Sequence, residues 1–571
     1  MPPVLPAAGR LLLGLGLVLG SGVPPVEEGR FGPNYQGGDA FRYDDPSALP
    51  LPFAADDASM TCPGSRNSLA SMRGVSLGSY LVLEPWQTPS LFYQFLGADE
   101  ARGAVAPRVG VDLLSFCEAL GPAEGNRQLR RHWAAWMRAE DMAKLAALGL
   151  DTVRIPVGDW MWRPYGAYAG CTNGSIAELD RAIGLAHAHG LKVLIDLHGV
   201  EMSQNGFDNS GNTSIVRWAA DRRTFSYAPL ASNWIGPWDE ATQTYSQLNW
   251  ARVVETLDVV RAIAERYAYH PAIIGVEPLN EPWMTTPIGP LKRFYWESFK
   301  IIKRRAPHWV VLLSDSFRHE ADSADALWGR FLRGCPDAGL DLHMYLAFGA
   351  QPATAEEAYV SACERQAEVG AFAARGIPIV VGEWSLATDL CAMWLTGFNN
   401  NHANDSTARN DHCAWAPCAE PYMGRAQPGA PPDRGKGPRG PFADPHPRSF
   451  NTPVHGMCPI DRTWSEPSDD VVMPALAQAQ LSAWLPARGW FFWGHRTELV
   501  PKWDYIRAAE RGWLPSDAQA PVHDSCPAIL RAAAVRAGSG GGGRARSARG
   551  RARAGAFEGT LGVGAVVGKL P

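Results

Sequence analysis

The chain has 571 residues, of which 46% are hydrophobic and 19% charged, so it can bury a large core and is not typical of a disordered protein. Its formal net charge of −5 provides no overall basic field, which argues against nucleic acid or an anionic membrane as its ligand. The 22 Trp and 15 Tyr residues are more informative, because such rings suit the faces and hydroxyls of sugars, although a Trp-rich core explains them equally well.

Residues 1–22 have the pattern of an export signal. Arg10 precedes an apolar run from Leu11 to about Leu19, and small residues follow. The run is short and glycine-rich for a transmembrane helix, although a signal anchor is the alternative. We therefore expect a secreted or cell-wall protein without stable membrane insertion. Residues 23–71 are rich in Pro, Gly and Asp, and we predict an irregular N-terminal segment there.

Short β-branched runs alternate with helical patterns from residue 72 to 535. The helical patterns include residues 127–148, 175–189 and 250–267. Eight strand–helix units in one domain predict an α/β fold, a closed (β/α)8 TIM barrel. A doubly wound open sheet is the alternative, but no glycine-rich dinucleotide motif follows the first strand. The predicted strands are residues 74–81, 152–157, 192–197, 273–277, 310–313, 340–345, 378–381 and 489–493.

Two segments depart from this alternation. Residues 398–470 form a long insertion after the seventh strand, on the face where barrel loops carry function. Residues 536–571 are basic and of low complexity, which predicts a disordered tail. A solvated tail is favoured over one that binds polyanions, and it lacks the apolar end of a lipid-anchor signal.

The chain contains ten cysteines, with no CxxC pair and no histidine at zinc-ligand spacing. Together with an export signal, these cysteines predict disulfide bonds, whose pairing the sequence leaves open. Glycosylation sequons at Asn173, Asn212 and Asn404 agree with export.

Two motifs place a carboxylate at the end of a predicted strand, where the active sites of TIM barrels lie. The first is VEPLNEPW over residues 276–283, and the second is VGEW over residues 381–384. Glycoside hydrolysis requires two carboxyl groups across the scissile bond, and in retaining enzymes they are about 5–5.5 Å apart. Either glutamate alone could be a cap or an ion-pair member. The pair Glu281 and Glu383 predicts an active site.

Further motifs occur in a fixed order between residues 73 and 515. Together with the two glutamate motifs, they resemble glycoside hydrolase family 5, and within it the fungal exo-β-1,3-glucanase group. The resemblance implies a retaining mechanism that uses neither a metal nor another cofactor. The motifs are RGVSLGSYLVLEPWQTPS at 73–90, VRIPVG at 153–158, IDLHG at 195–199, SQNGFDNSG at 203–211, HMY at 343–345 and GWFFW at 489–493.

The resemblance also implies a role for each site residue. Glu281 is expected to be the general acid/base and Glu383 the nucleophile. Asn280 is expected to donate to the sugar 2-hydroxyl, Arg154 to hold the nucleophile carboxylate and Tyr345 to touch it. Packing in the core is the alternative for each histidine and aromatic residue. The other substrate-binding candidates are His343 beside the nucleophile, His198 and Asn209 at the sugar, Glu84 as acceptor for the terminal glucose, Trp493 as platform under the reacting sugar, and Phe207 and Phe348 as an aromatic pair flanking the next sugar.

Several positions depart from the family pattern. Ser76, Ser79 and Tyr80 replace Asn, Gly and Trp of the first motif, and Asp159 replaces a Tyr. Residues 200–202 read Val-Glu-Met in place of Ala-Pro-Gly, and Met344 replaces a His. The changes at 76–80, 159 and 200–202 lie near loops that the family uses to bind sugar, so they leave the linkage open but not the chemistry.

We expect a monomeric enzyme that releases glucose from the ends of β-1,3-glucan polysaccharide or oligosaccharide. Hydrolysis of β-1,6- or β-1,4-glucan, or of a glucoside, is the alternative within the family. A non-enzymatic carbohydrate-binding protein of the cell wall is the alternative from another class, but binding alone does not require both Glu281 and Glu383.

Overall fold

The computed structural model describes residues 60–62, 69–92, 110–214, 216–218, 225–227, 230–348, 352, 354–388, 392, 395, 469–498 and 500–539. The predicted export signal, nearly all of the 398–470 insertion and the tail beyond residue 539 lie outside these ranges. The predictions for those segments therefore stay predictions.

Eight parallel strands form a closed barrel, which confirms the predicted fold class. Each strand pairs with its neighbours in the chain, and the last pairs with the first in the register Met72↔Gly489 to Ser76↔Trp493. The strands are β1 Met72–Ser76, β2 Thr152–Gly158, β3 Lys192–Gly199, β4 Ile273–Glu277, β5 Val310–Ser314, β6 Ala338–His343, β7 Ile379–Trp384 and β8 Gly489–Trp493.

Helices alternate with the strands, and two small antiparallel hairpins lie in the loop after β3. The hairpins pair Val216–Trp218 with Phe225–Tyr227 and Trp238–Asp239 with Thr244–Tyr245. The helices are α1 Pro89–Phe92, α2 Leu113–Trp136, α3 Ala139–Ala147, α4 Tyr168–Cys171, α5 Ser175–Ala188, α6 Trp250–Tyr267, α7 Ile288–Arg305, α8 Ser323–Ala326, α9 Ala355–Ala374, α10 Asp469–Ala483, α11 Tyr505–Glu510 and α12 Cys526–Ser539.

The helix predicted over residues 127–148 is two helices. The backbone becomes extended at Met137 (φ −124°, ψ 105°), which ends α2. The Asp141 carboxylate then accepts from the Arg138 backbone N–H at 3.1 Å, which caps the start of α3. The hydrophobic periodicity continues across this break, so the pattern alone could not reveal it.

Only β4 and β8 have the predicted bounds. The other six strands differ at one or both ends, as β1 and β7 illustrate. Strand β1 ends at Ser76 instead of Leu81, and Ser79 already has a positive φ of 55°. Strand β7 begins after Pro378, which has no N–H for the ladder, and continues to Trp384. Glu383 is therefore the second-last residue of a barrel strand and does not lie in the loop after it.

Apolar side chains fill the barrel below the catalytic mouth. Leu194, Leu312, Val380 and Phe491 project from four strands into one buried cluster. Such a packed layer is what makes the interior of a TIM barrel a core and not a pore. Within the part of the chain that the structure covers, no helix combines the length and apolar character that crossing a bilayer requires.

The chain leaves the barrel for the insertion and returns to it beside Lys502. The Leu386 N–H donates to the Lys502 carbonyl at 3.0 Å, before the insertion. The Lys502 Nζ lies 2.9 Å from Asp469 Oδ2, after the insertion. Both charged side chains are buried. This anchor holds together the two ends of the segment between residues 388 and 469.

Three disulfides are formed among the described cysteines: Cys62–Cys335, Cys117–Cys171 and Cys363–Cys526. They confirm the prediction that cysteines pair, and they supply the pairing that the sequence left open. The other four cysteines, Cys391, Cys413, Cys418 and Cys458, lie outside the described residues.

Replacing Cys117 and Cys171 together with alanine should lower thermal stability. The bond joins α2 to α4 across 54 residues of sequence, and its removal frees that loop in the unfolded chain. Loss of such a bond typically costs roughly 2–4 kcal/mol. Calorimetry should therefore show a lower Tm for the double variant. A Tm equal to that of the wild type would contradict this.

Candidate active site

Arg154 of β2 lies at the centre of the barrel mouth and is completely buried. Its Nη1 donates to Glu383 Oε1 at 2.8 Å, and its Nη2 donates to Glu277 Oε2 and Asn280 Oδ1, each at 2.8 Å. Burial would lower the pKa of Arg154, but the neighbouring carboxylates raise it well above its ordinary value. The guanidinium therefore stays charged and ties β2 to the ends of β4 and β7.

The Glu383 carboxylate is held by a donor on each oxygen. Arg154 occupies Oε1, and the Tyr345 hydroxyl donates to Oε2 at 2.7 Å. Burial raises the pKa of Glu383, while the charges of His343 and Arg154 oppose that rise. The two donors fix the orientation of the carboxylate and favour its ionised form.

Glu281 lies opposite Glu383, on the loop after β4. Its backbone has a positive φ of 45°. Its Oε1 lies 2.7 Å from His343 Nδ1, and its Oε2 accepts from Asn209 Nδ2 at 2.9 Å. Oxygen atoms of Glu281 and Glu383 lie within 4.8 Å of each other and of a His343 ring nitrogen. Both carboxylates therefore face one small space at the mouth.

His343, near the end of β6, lies between the two glutamates. Its Nδ1 is 2.7 Å from Glu281 and 3.3 Å from Glu383, and its Nε2 is 3.4 Å from Asp341. Burial would lower the pKa of His343, but the carboxylates of Glu383, Asp341 and Glu281 raise it well above its ordinary value. Although burial raises the pKa of Glu281, the His343 charge lowers it below its ordinary value overall. In the free protein the shared proton therefore resides mainly on His343.

Sequence reasoning missed the carboxyl groups beneath the site. Asp196 Oδ2 lies 3.2 Å from Arg154 Nη2, and Asp341 Oδ2 lies 3.9 Å from it. Burial raises the pKa of Glu277 well above its ordinary value. Burial would also raise the pKa of Asp341, but the His343 charge lowers it below its ordinary value overall. A Cβ atom at Gly382 would lie 1.9 Å from Asp341 Oδ1, so only glycine fits beside that carboxylate. These buried groups support the residues that face the mouth.

His198 and Trp493 form a stacked pair, with ring centroids 5.2 Å apart and planes at 9°. His198 Nδ1 is 2.6 Å from Asp196 Oδ2, and its Nε2 is 3.4 Å from Asn280 Nδ2. Arg154 also lies over the Trp493 ring, 6.0 Å from its centroid. The structure therefore brings His198, Trp493 and Asn280 together around Arg154.

The Glu84 carboxylate is buried in the loop after β1. Oε2 accepts from Trp86 Nε1 at 2.8 Å, and Oε1 accepts from Gln87 Nε2 at 2.6 Å. Burial raises the pKa of Glu84 well above its ordinary value, and the charges of Asp208, Glu383 and Glu281 add to the rise. The charge of Glu84 therefore interacts with those of the two glutamates, and both of its oxygens already have donors in the loop.

Phe207 and Phe348 are both half-buried, but they pack against different neighbours. The Phe207 ring meets Trp283 edge to face at 5.5 Å. The Phe348 ring meets Tyr345 edge to face at 5.5 Å and lies 6.3 Å from Trp503. Trp503, which the sequence did not suggest, also lies 5.2 Å from the ring of Tyr345.

The acidic groups also form two sets that could hold a metal ion: Glu277, Asp341 and His343, and Glu281, His343 and Glu383. Positive charge is already present in both sets, from His343 and from the neighbouring Arg154. A cation would have to compete with these two side chains. The expectation of catalysis without a metal stays a prediction.

Asp159, which departs from the family pattern, is buried after β2. Its Oδ1 accepts from the Tyr165 hydroxyl at 2.9 Å, and its Oδ2 accepts from the Glu201 N–H at 2.8 Å. Burial raises the pKa of Asp159 to about 7. The residue therefore ties the loop after β2 to the loop after β3, and it acts on the site only through that connection.

The chain is similar to known glycoside hydrolases. A family model described as cellulase (glycosyl hydrolase family 5) matches residues 118–416, a range that contains Glu281 and Glu383. A Blumeria graminis protein named glucan 1,3-beta-glucosidase is 29% identical over 483 residues, or 82% of this chain and 93% of that protein. A Candida oleophila protein of the same name is 27% identical over 466 residues, or 78% and 88%. The crystal structure of a rutinosidase from Aspergillus niger has a TM-score of 0.49 at 14% identity, over 78% of this chain and 98% of that one.

Replacing Asp159 with asparagine should flatten the pH dependence of stability between about pH 4 and pH 7. The pKa of Asp159 rises on folding from its ordinary 3.8 to about 7, so the folded state binds the proton more tightly and loses stability as pH rises through that window. The slope is at most about 1.4 kcal/mol per pH unit for one proton. Asparagine can accept from Glu201 and donate to Tyr165 without ionising.

The measurement is Tm against pH for both proteins. The difference, variant minus wild type, should grow from pH 4 to pH 7. Parallel curves would contradict the assignment of the raised pKa to Asp159.

Proposed function

The chain belongs to glycosyl hydrolase family 5, and on this premise we propose that it is a retaining β-glycosidase that releases glucose from the ends of β-1,3-glucan. The observation that carries the proposal is the separation of Glu281 and Glu383, whose oxygens come within 4.8 Å of each other. Carboxyl groups of retaining enzymes are about 5–5.5 Å apart, whereas inverting enzymes need about 6.5–9.5 Å to admit a water molecule.

Glu383 is the nucleophile in this proposal. Its carboxylate attacks the anomeric carbon and forms a covalent glycosyl ester while the leaving oxygen departs. The donors Arg154 and Tyr345 hold both of its oxygens, at 2.8 and 2.7 Å, so little reorganisation is needed before attack. Asn280 is itself held by Arg154, which positions its amide for the sugar 2-hydroxyl.

Glu281 is the acid that protonates the leaving oxygen. In the free protein its pKa is lowered because His343 carries the nearby proton. The 2.7 Å hydrogen bond between His343 Nδ1 and Glu281 Oε1 lets that proton move to Glu281 as negative charge develops on the leaving group. Glu281, then ionised, accepts a proton from the water that hydrolyses the ester, and Glu383 is released.

In this proposal, Glu84 restricts the enzyme to chain ends by binding the terminal glucose. Its two oxygens each accept one hydrogen bond from the loop and retain capacity for a second, from the hydroxyls of a terminal glucose. A chain that continued past this point would leave a buried carboxyl group without those bonds. Asp208, which also raises the pKa of Glu84, adds a second acidic group to this end of the pocket.

The β-1,3 linkage is supported by the names of the Blumeria graminis and Candida oleophila relatives. Hydrolysis outside the cell is supported by the three disulfides, because such bonds persist in oxidising compartments. The experiment on product patterns distinguishes this linkage from the other β-glucan linkages.

The replacement Glu281→Gln should slow the enzyme by a different factor on each substrate, according to its leaving group. Hydrolysis of β-1,3-linked oligosaccharides should fall by roughly 10²- to 10⁴-fold, because their leaving group needs a proton. An aryl β-glucoside with an acidic phenol should still show a rapid burst of phenol, since only the later hydrolysis of the ester needs a base. Stopped-flow measurements on both substrates decide this. Equal losses on both would count against Glu281 as the acid.

The product pattern on a long β-1,3-glucan tests the attack on chain ends. Glucose should be the only early product, and the viscosity of the glucan should fall slowly. The enzyme should act little on β-1,4- or β-1,6-glucan. In Glu84→Gln, kcat/KM should fall roughly 10- to 100-fold, which corresponds to one or two lost hydrogen bonds. The matched control is Glu265→Gln, a surface change on α6 that breaks only an ion pair with Arg305. An early ladder of oligosaccharides would instead indicate an open cleft.

A further inference from the structure

A second cleft lies on the catalytic face, beside the loop that carries Glu281. It encloses about 450 Å³, within the range of ligand pockets. One wall is the hairpin Trp238–Tyr245 from the loop after β3, and the other wall comes from the loop after β4. These two loops also carry Phe207 and Glu281. The cleft is lined by Trp238, Gln243, Thr244, Tyr245, Leu248, Thr285 and Pro287.

The hairpin is fixed to the Glu281 loop by one side chain. The Tyr245 hydroxyl lies 2.9 Å from Thr285 Oγ1 and accepts from the Ser232 N–H at 2.9 Å. Thr285 is only four residues beyond Glu281, so extended chain could separate them by at most about 14 Å. The cleft is therefore within a short distance of the leaving-group side of the site.

The cleft is rigid at both walls. At the base of the hairpin, a Cβ atom on Gly236 would lie 2.0 Å from the Gln247 carbonyl oxygen, so two backbone segments cross there in close contact. At its tip, Asp239 Oδ1 accepts from the Ala241 N–H at 2.9 Å. Arg318 holds the other wall by donating to the Thr286 carbonyl at 2.6 Å. A preformed cleft binds a ligand with little loss of conformational entropy.

The chemistry of the lining suits a sugar. Trp238 and Tyr245 are half-buried, with ring centroids 4.9 Å apart and planes at 66°. Trp238 Nε1 is buried and has no acceptor among the described residues, so a hydroxyl brought into the cleft would be a suitable partner. Gln243 and Thr244 are exposed at the rim and offer amide and hydroxyl groups. None of the cleft-lining residues carries a charge, which argues against an ionic ligand.

We propose that this cleft binds a further glucose unit of the β-glucan chain on the leaving-group side, beyond the sugar next to the scissile bond. The inference rests on the proposed function, since it takes the glycan as the substrate. The Trp238 ring provides the stacking face, and the rim side chains bind hydroxyls. The cleft therefore makes the enzyme prefer oligosaccharides long enough to reach it, although only the terminal glucose is released.

The experiment compares kcat/KM for β-linked glucose oligosaccharides of two to five units with kcat/KM for an aryl β-glucoside, which is too short to reach the cleft. In Trp238→Ala, the ratio of the pentasaccharide value to the aryl glucoside value should fall about 3- to 10-fold, as expected for one lost stacking contact. Trp238→Phe retains a ring and should lose less. The matched control is Trp296→Ala, a half-buried tryptophan on α7 that stacks on Phe299.

An unchanged ratio in Trp238→Ala overturns the inference, and so does a parallel loss on all substrates. Running the series with β-1,3-, β-1,4- and β-1,6-linked oligosaccharides keeps this test separate from the proposed function. A wild type that cleaves only another linkage corrects that function, and the ratio is then taken on the linkage it cleaves. If it cleaves none, calorimetric binding of the pentasaccharides to Glu383→Gln decides. Weaker binding after Trp238→Ala is added supports the cleft, and unchanged or undetectable binding rejects it.

Discussion

The guanidinium of Arg154 lies out of contact with solvent among the carboxyl groups of Asp196, Glu277, Asp341 and Glu383, and each of these charges constrains the others. A buried ion pair adds little net stability, but removing one partner leaves an uncompensated charge and costs about 3–5 kcal/mol. Lysine could not replace Arg154, because one ammonium group cannot reach Glu277, Asn280 and Glu383 in the required directions. The ends of β2, β4 and β7 therefore keep one relative arrangement.

The balance of charges around Arg154 explains the directions of the pKa shifts at the barrel mouth. Five carboxyl groups, including Glu281, face two cations, Arg154 and His343, so full ionisation is unfavourable. Burial raises the pKa of Glu277 well above its ordinary value, which favours its neutral form and relieves part of the excess. Although burial opposes it, the His343 charge lowers the pKa of Glu281. Burial raises the pKa of Glu383 even though the charges of His343 and Arg154 oppose the rise. Positive charge at His343 is therefore favoured within hydrogen-bonding distance of Glu281 before any ligand binds.

The barrel could be predicted from the sequence because its strands are buried on both faces and appear as β-branched runs at regular intervals. The ends of the strands could not, since Leu77 and Leu81 are as apolar as the strand before them while the backbone turns at Ser79. Most candidate site residues were predicted through motif resemblance, and their roles stay predictions. Asp196 and Asp341 were missed, although each lies two residues before a predicted site histidine, His198 or His343. Residues two apart in a strand share a face, so that spacing was the available signal.

The predictions also failed where structure depends on distant contacts. The Trp238–Tyr245 hairpin has strands of only two residues, and the hydrogen bonds of Tyr245 to Ser232 and Thr285 hold it in place. No local sequence pattern predicts such an element. Likewise, the partners of the cysteines depend on how the barrel closes, which spacing along the chain does not encode.

The anchor at Lys502 bears on how this protein can change over evolutionary time. Leu386 and Asp469 are both tied to one buried residue, so the barrel holds the two ends of the intervening segment at a fixed separation. Closing a flexible loop becomes only slightly more costly with length, by about 0.6 kcal/mol for each doubling. Insertions and deletions between these ends would therefore cost the scaffold little, so the length of this segment can change over evolution more freely than that of the barrel strands.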